Sequence, residues 1–343
     1  MASPTSTETN FRYFKPAKRR ASQYEEVTLH TQWSPKNYAV LGWFNRSTYD
    51  GRPMWSDDAS RLQASDWWGY RDPAQQWNRS YVDHQAKQEQ AIELAIEGAK
   101  RDGRFAEITS LWRNEILAKY YAAYRYAEYG YFLCYSYMQR EAPSDVVANT
   151  FIIQGIDKDR HAQAISLYGM DLEEAIPGFS DAEAQSVWMN DPVYQPSREY
   201  VERLLACRDW GEITVATNLL WEPLVAMLMT REFLGRFAPR HGDPVTWVIL
   251  ETVAVDRRKA IDATTELARF VIADRPDNRA VIQEWLNHWG PLAVRAAQAF
   301  APLFECTEER PITFAAAWQR VTKEWQERLT TLGLTVPQEV LGQ

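Results

Sequence analysis

The sequence predicts an all-α protein, a bundle of long helices preceded by an irregular, aromatic-rich N-terminal arm. Three observations carry that expectation. The 343 residues include only 15 Gly, too few for a turn-dense β architecture. From Pro73 onward apolar residues recur at helical spacing, in segments of up to nearly thirty residues. Between these segments stand clusters that stop one helix and start the next, such as Pro143-Ser144-Asp145, Pro177 to Asp181, Pro239 to Pro244 and Arg275-Pro276-Asp277. An apolar share of 45% beside 24% charged residues supplies material for a sizeable core.

Taken in order, residues 1–10 read as a loose polar tail, without the apolar run of a secretory signal. Residues 11–73 form the arm. Pro, Gly, Asp, Ser and Asn punctuate it, and Trp33, Trp43, Trp55, Trp67 and Trp68 are spread along it. Large rings on an irregular segment need a surface to cover them, either the chain's own helices or a partner subunit. The basic run Lys15 to Arg20 is short and is followed by Glu25-Glu26, which suits a docking arm better than a nucleic-acid groove. Arg19, Arg20 and the five Trp are therefore the candidate partner-binding residues. Helices are expected at about 74–101, 107–140, 144–172, 181–207, 211–237, 243–273, 277–303 and 311–331. They make up a helical domain over 74–335, and 336–343 remain as a C-terminal tail. Pro223 falls inside a helix and predicts a local kink beside Glu222.

A net charge of −8 disfavours nucleic acid and anionic membrane as partners. Charged residues interrupt the apolar stretches, as at Leu219 to Pro223, so no membrane anchor is expected and the cytoplasm is the expected compartment. Cys134, Cys207 and Cys306 are odd in number and far apart, which suggests neither a disulfide framework nor a zinc site. The sequence holds no Gly-rich phosphate loop, no G-x-S-x-G and no H-E-x-x-H, and the Asp57-Asp58 pair lacks a third carboxylate to complete a magnesium site.

One spacing pattern carries chemistry. Bundles that hold two irons take a Glu from one helix and Glu-x-x-His from the next, then repeat the pair. Here Glu128 is followed thirty positions later by Lys158, with His161 three beyond; Glu222 is followed thirty-four later by Asp256, with Lys259 three beyond. Six ligand-like positions thus carry three acids, two lysines and one histidine. Two Fe(II) need four carboxylates and two imidazoles to balance charge and complete coordination. The set present is close to neutral without a metal. No metal site, cofactor site or catalytic residue is expected in this chain. Two other readings stand beside this one: a chance spacing among 46 Asp and Glu, and a stand-alone helical metalloenzyme with an atypical carboxylate and histidine site.

Longer strings add a resemblance. Arg19-Arg20-Ala21-Ser22-Gln23-Tyr24-Glu25-Glu26-Val27, Tyr70-Arg71-Asp72-Pro73 with Arg79-Ser80-Tyr81, Trp188 to Pro192 with Asp209-Trp210-Gly211-Glu212, and Trp285 to Trp289 resemble the β subunit of bacterial multicomponent dinuclear-iron monooxygenase hydroxylases, nearest the toluene, alkene and isoprene group. The likeness runs from about Phe11 to Phe304. It implies a ferritin-like fold and an α2β2γ2 hydroxylase whose α subunit carries the dinuclear iron. It also implies a small effector protein, a Rieske ferredoxin and an NAD(P)H-dependent reductase, which together insert one oxygen atom of O2 into an alkene, diene or arene.

Overall fold

Helix-start signals in the sequence are used as side-chain caps in some places and diverted to tertiary contacts in others. The computed structural model describes residues 16–29, 56–307, 309–337 and 340. Among the described residues there are helices and turns and no strand. The first helix, α1 (Gln23–Leu29), begins with a reciprocal cap: Glu25 N donates to Ser22 Oγ at 3.2 Å, and Ser22 N donates to Glu25 Oε2 at 2.9 Å. Six further stretches follow, α2 (Asn78–Arg101), α3 (a π-helical Trp112–Tyr121 running into Ala122–Glu141), α4 (Asp145–Ala175), α5 (Ala184–Asn190), α6 (Gln195–Ala206) and α7, which starts at Trp210. Three more complete the chain: α8 (Thr246–Asp274), α9 (Asn278–Gln298) and α10 (Phe314–Thr331). At 31 residues α4 is about 46 Å long, given 1.5 Å per residue.

The centre of the bundle is α7. It opens as an α-helix over Trp210–Val215, widens to π geometry over Ala216–Ala226 and Leu228–Leu234, and closes at Gly235–Phe237. Asp209 caps it, accepting from Gly211 N at 2.8 Å and Glu212 N at 3.1 Å. By length and composition the stretch Trp210–His241 could cross a membrane, but its most apolar window is entirely buried inside the fold. It is a core helix. The kink expected at Pro223 takes the form of this widened segment, in which Met227 N–H reaches back to the Glu222 carbonyl. The Trp325 indole of α10 donates to the Leu219 carbonyl of this segment at 2.5 Å and ties the two helices together.

The predicted helix over 181–207 is two helices. Asp191 lies in the extended region, as the residue before Pro192 is steered to, and its carboxylate accepts from Val193 N at 2.9 Å. Ser144, expected to cap α4, instead donates its hydroxyl to the Trp67 carbonyl at 3.2 Å. It anchors the arm. Residues 56–73 are fastened to the bundle at several such points: Arg61 pairs with Glu284 through two bonds of 2.8 and 2.6 Å, Ser65 N donates to Asp274 at 2.6 Å, and Tyr70 OH donates to the Ala263 carbonyl at 3.0 Å.

Of the arm's five Trp, Trp67 and Trp68 lie among the described residues, and each packs one side on the chain's own core. Trp67 stands 5.3 Å from Trp210 and 6.4 Å from Phe270, ring centre to ring centre, and both Trp67 and Trp68 pack half-buried on the chain's own core. Arg19 and Arg20 are exposed. Trp33, Trp43 and Trp55 lie outside the described residues.

Candidate functional site

Four helices, α3, α4, α7 and α8, each turn a charged side chain toward one point in the core. Glu128 comes from α3, Lys158 and His161 from α4 one turn apart, Glu222 from α7 and Arg257 from α8, and all five are buried. Lys158 Nζ donates to Glu222 Oε1 at 2.5 Å and stands 3.3 Å from Glu128 Oε2. Arg257 spans both acids, one guanidinium nitrogen donating to Glu222 Oε2 and another to Glu128 Oε1. His161 Nδ1 lies 3.3 Å from Glu128 Oε1. Aromatic rings wall the cluster, with Arg257 5.9 Å from the centre of Tyr124 and Lys158 5.9 Å from that of Tyr131.

The electrostatics follow from this packing. Burial alone would raise the Glu128 carboxyl, but Arg257 and Lys158, with His161, outweigh it and hold the group well below the usual carboxylate range. Burial lowers the His161 imidazole, with Glu128 opposing, so it is neutral at pH 7. Burial works against the Arg257 charge, and Glu128 and Glu222 more than restore it. Two carboxylates then face one ammonium and one guanidinium. The net charge is zero.

Two of the six positions predicted from spacing do not join this cluster. Asp256 turns to the neighbouring seam, where it accepts from Arg160 at 2.5 Å and from Gln85 at 3.1 Å, and Lys259 is partly exposed, 3.7 Å from Asp256. The register on α8 is one residue later: Arg257 faces inward, followed three positions on by Ala260. Each residue advances a helix by about 100°, and the run Asp256-Arg257-Arg258-Lys259 is charged throughout, so spacing could not choose among its members. The apolar phase does not choose either: Ile249, Val253, Ala260 and Ala263 leave a gap at 256, Leu250, Val253, Ala260 and Thr264 leave one at 257, and both positions are buried.

The seam beside the cluster is a second polar layer. Asp157 accepts from Tyr81 OH at 2.8 Å and from Gln85 at 3.2 Å, the same amide nitrogen that bonds Asp256. Burial and then the neighbouring Asp256 push the Asp157 carboxyl up to about 8.

The donor set was tested against the two-iron site that the spacing resembles. It does not fit. Lys158 and Arg257 are donors without a lone pair for a cation, and both carboxylates already accept from them. The cavity bordered by Glu128, His161, Arg257 and Ala260 measures about 10 Å³, about the room one water needs. Its chemistry is that of a charge-neutral tie between helices.

Comparison with known proteins supplies the context. Residues 45–275 match the family described as methane/phenol/alkene hydroxylase. The chain is 30% identical over 341 residues to the small subunit of the hydroxylase component of propane 2-monooxygenase from Mycolicibacterium smegmatis, a match covering 98% of this chain and 92% of that one. It is 29% identical over 330 residues to the beta chain of methane monooxygenase component A from Methylococcus capsulatus, covering 92% and 84% respectively. In three dimensions it resembles a chain of toluene 4-monooxygenase, solved with toluene in the resting active site. That match has a TM-score of 0.72 at 23% identity over 88% of this chain and 97% of that one, and it shows the shared fold.

Proposed function

The chain belongs to the methane, phenol and alkene hydroxylase family, and from that premise we propose that it is the non-catalytic small subunit of a hydroxylase. Its similarity to small and beta subunits extends over nearly its whole length. The complex inserts one oxygen atom of O2 into a hydrocarbon, and the dinuclear iron belongs to the larger, α subunit. The relatives are named for propane and methane and the structural neighbour for toluene, so alkanes join arenes, alkenes and dienes as candidate substrates.

The observation that carries this reading is the pair of cations, Lys158 and Arg257, standing between Glu128 and Glu222 where a metal would need ligands. The stand-alone metalloenzyme reading drew on three acids and His161. Two of those acids are committed to cations and the third, Asp256, faces another seam. A γ subunit, an effector protein, a Rieske ferredoxin and a reductase complete the proposed system, which is cytoplasmic. The arm contributes to assembly through Arg19, Arg20, Trp33, Trp43, Trp55 and the open sides of Trp67 and Trp68.

Elemental analysis tests the assignment. The chain purified alone is expected to carry well under one equivalent of iron, while the assembled hydroxylase carries iron and oxygenase activity. Two equivalents per isolated chain, with an oxo-bridge absorption band, would overturn it.

A further inference from the structure

Near the end of α7, ten residues beyond Glu222, a second buried acid gathers more positive charge than it can balance. Glu232 is fully buried, and three guanidinium groups converge on its carboxylate. Arg231 Nε donates to Oε1 at 2.7 Å, and Arg236 Nε, one helical turn on, donates to Oε2 at 2.7 Å. Arg320 Nε of α10 stands 3.4 Å from the same Oε2. Arg231 has a second acid to itself: its two Nη nitrogens donate to the two oxygens of Glu324 at 2.9 and 3.2 Å, fork on fork. With Arg231 matched by Glu324, two guanidinium groups, Arg236 and Arg320, remain for the one carboxylate of Glu232.

A tie between helices needs one cation per acid, so the second is surplus. Arg236 and Arg320 share one oxygen, which holds their Nε atoms within about 6 Å of each other. Like charges that close repel, and the repulsion is relieved when an anion joins them. Both side chains are anchored from behind and open in front. Each meets Glu232 through Nε alone, and among the described residues no acceptor bonds their Nη nitrogens. The two side chains are 37% and 52% exposed, so those nitrogens reach solvent. Guanidinium forks fixed by a buried carboxylate are pre-organised donors for an oxyanion. Two guanidinium groups against one carboxylate leave +1, and Lys323, exposed one turn along α10 from Arg320, adds a further positive charge. A phosphate, with nearly two negative charges at pH 7 and three terminal oxygens, matches that surplus better than a carboxylate with one charge and two oxygens.

We propose that Arg236 and Arg320 form a binding site for the phosphate group of a small soluble molecule. The chain's net charge of −8 disfavours a phosphate presented on an anionic membrane. A phosphate held here bonds α7 and α10 at once and fastens the last long helix to the core helix. Because the folded chain alone assembles this pair, binding adds to the stability of the fold.

The test uses the full chain in a buffer free of polyvalent anions. Equilibrium dialysis against radiolabelled inorganic phosphate is expected to show saturable uptake of one equivalent per chain. Arg236→Gln/Arg320→Gln should weaken that uptake roughly tenfold or more. Arg104→Gln/Arg258→Gln removes the same charge from exposed positions elsewhere and should bind as the wild type does. A second measurement needs no substitution. Phenylglyoxal labels open guanidinium groups, and saturating phosphate should slow labelling of the peptides carrying Arg236 and Arg320 roughly tenfold. Sodium chloride of equal ionic strength should not, and Arg104 should label alike in both. Absence of saturable uptake overturns the proposal, as does equal uptake by the Arg236→Gln/Arg320→Gln variant, equal loss in the two double variants, or equal protection by chloride. Sedimentation of the chain with phosphatidate vesicles without uptake of free phosphate overturns it too, because the ligand would then be a lipid surface.

Discussion

Replacing Arg257 with Met keeps much of the side-chain volume in the core and removes one of the two cations that bridge both buried acids. Glu128 and Glu222 then share the single ammonium of Lys158, leaving one buried negative charge without a counterion. The fold can relieve this only by protonating a carboxyl. At pH 7 that costs about 3.7 kcal/mol for a group of ordinary pKa near 4.3, from 1.36 kcal/mol per unit. The penalty is thus about 4 kcal/mol at pH 7, within the ~3–5 kcal/mol typical of breaking a buried ion pair.

The pH dependence has a definite sign. In the variant a carboxyl's folded pKa is raised above its unfolded value, so its stability is full below about pH 4 and is lost as pH rises, by about 1.4 kcal/mol per unit. In the wild type the depressed Glu128 does the reverse: its contribution is present above the unfolded pKa and is lost as pH falls through a folded value well below 4.5. The gap between the two proteins should therefore shrink to about 1 kcal/mol at pH 5. Urea unfolding at pH 5, 6 and 7 measures it. A variant within 1 kcal/mol of wild type at pH 7, with a gap flat across that range, would refute the picture of a dry, charge-compensated cluster.

Other substitutions probe separate links. Asp157→Asn removes a carboxyl held up at about 8 by burial and Asp256, so wild-type stability is full below pH 4 and declines toward pH 8. The variant should match wild type in acid and exceed it by on the order of 5 kcal/mol at pH 8.5, read by thermal unfolding at each pH. Trp325→Phe removes the buried indole bond to the Leu219 carbonyl, and should cost about 1–2 kcal/mol in urea unfolding. Gly242→Ala should cost at least ~2 kcal/mol, since Gly242 has φ +73° and a new Cβ would meet the Glu107 carbonyl oxygen at 2.4 Å. Arg19→Glu/Arg20→Glu should lower recovery of the assembled complex while leaving the chain's melting temperature unchanged, because both side chains are exposed.

Much of the architecture is determined by sequence alone. Apolar periodicity and breaker clusters locate the long helices because burial of one face and the loss of backbone hydrogen bonds at Pro are local consequences of residue type. The ligand spacing of two-iron bundles marks Glu128, Lys158, His161 and Glu222, which converge, but it marks Asp256 and Lys259 as well, which do not join them. What sequence could not settle was which member of an all-charged run turns inward. Only packing decided that Arg257 enters the core while Asp256 joins Arg160 and Gln85, because a guanidinium can reach two carboxylates at once and, with Lys158, balance their charge. Tertiary structure also decided what the arm's Trp67 and Trp68 pack against within the chain. Their composition allows either a partner or the chain's own bundle, and the Trp210 and Phe270 surface, assembled from helices more than a hundred residues away, covers Trp67. A side chain's type fixes what it must bury, and only the folded neighbourhood fixes against what.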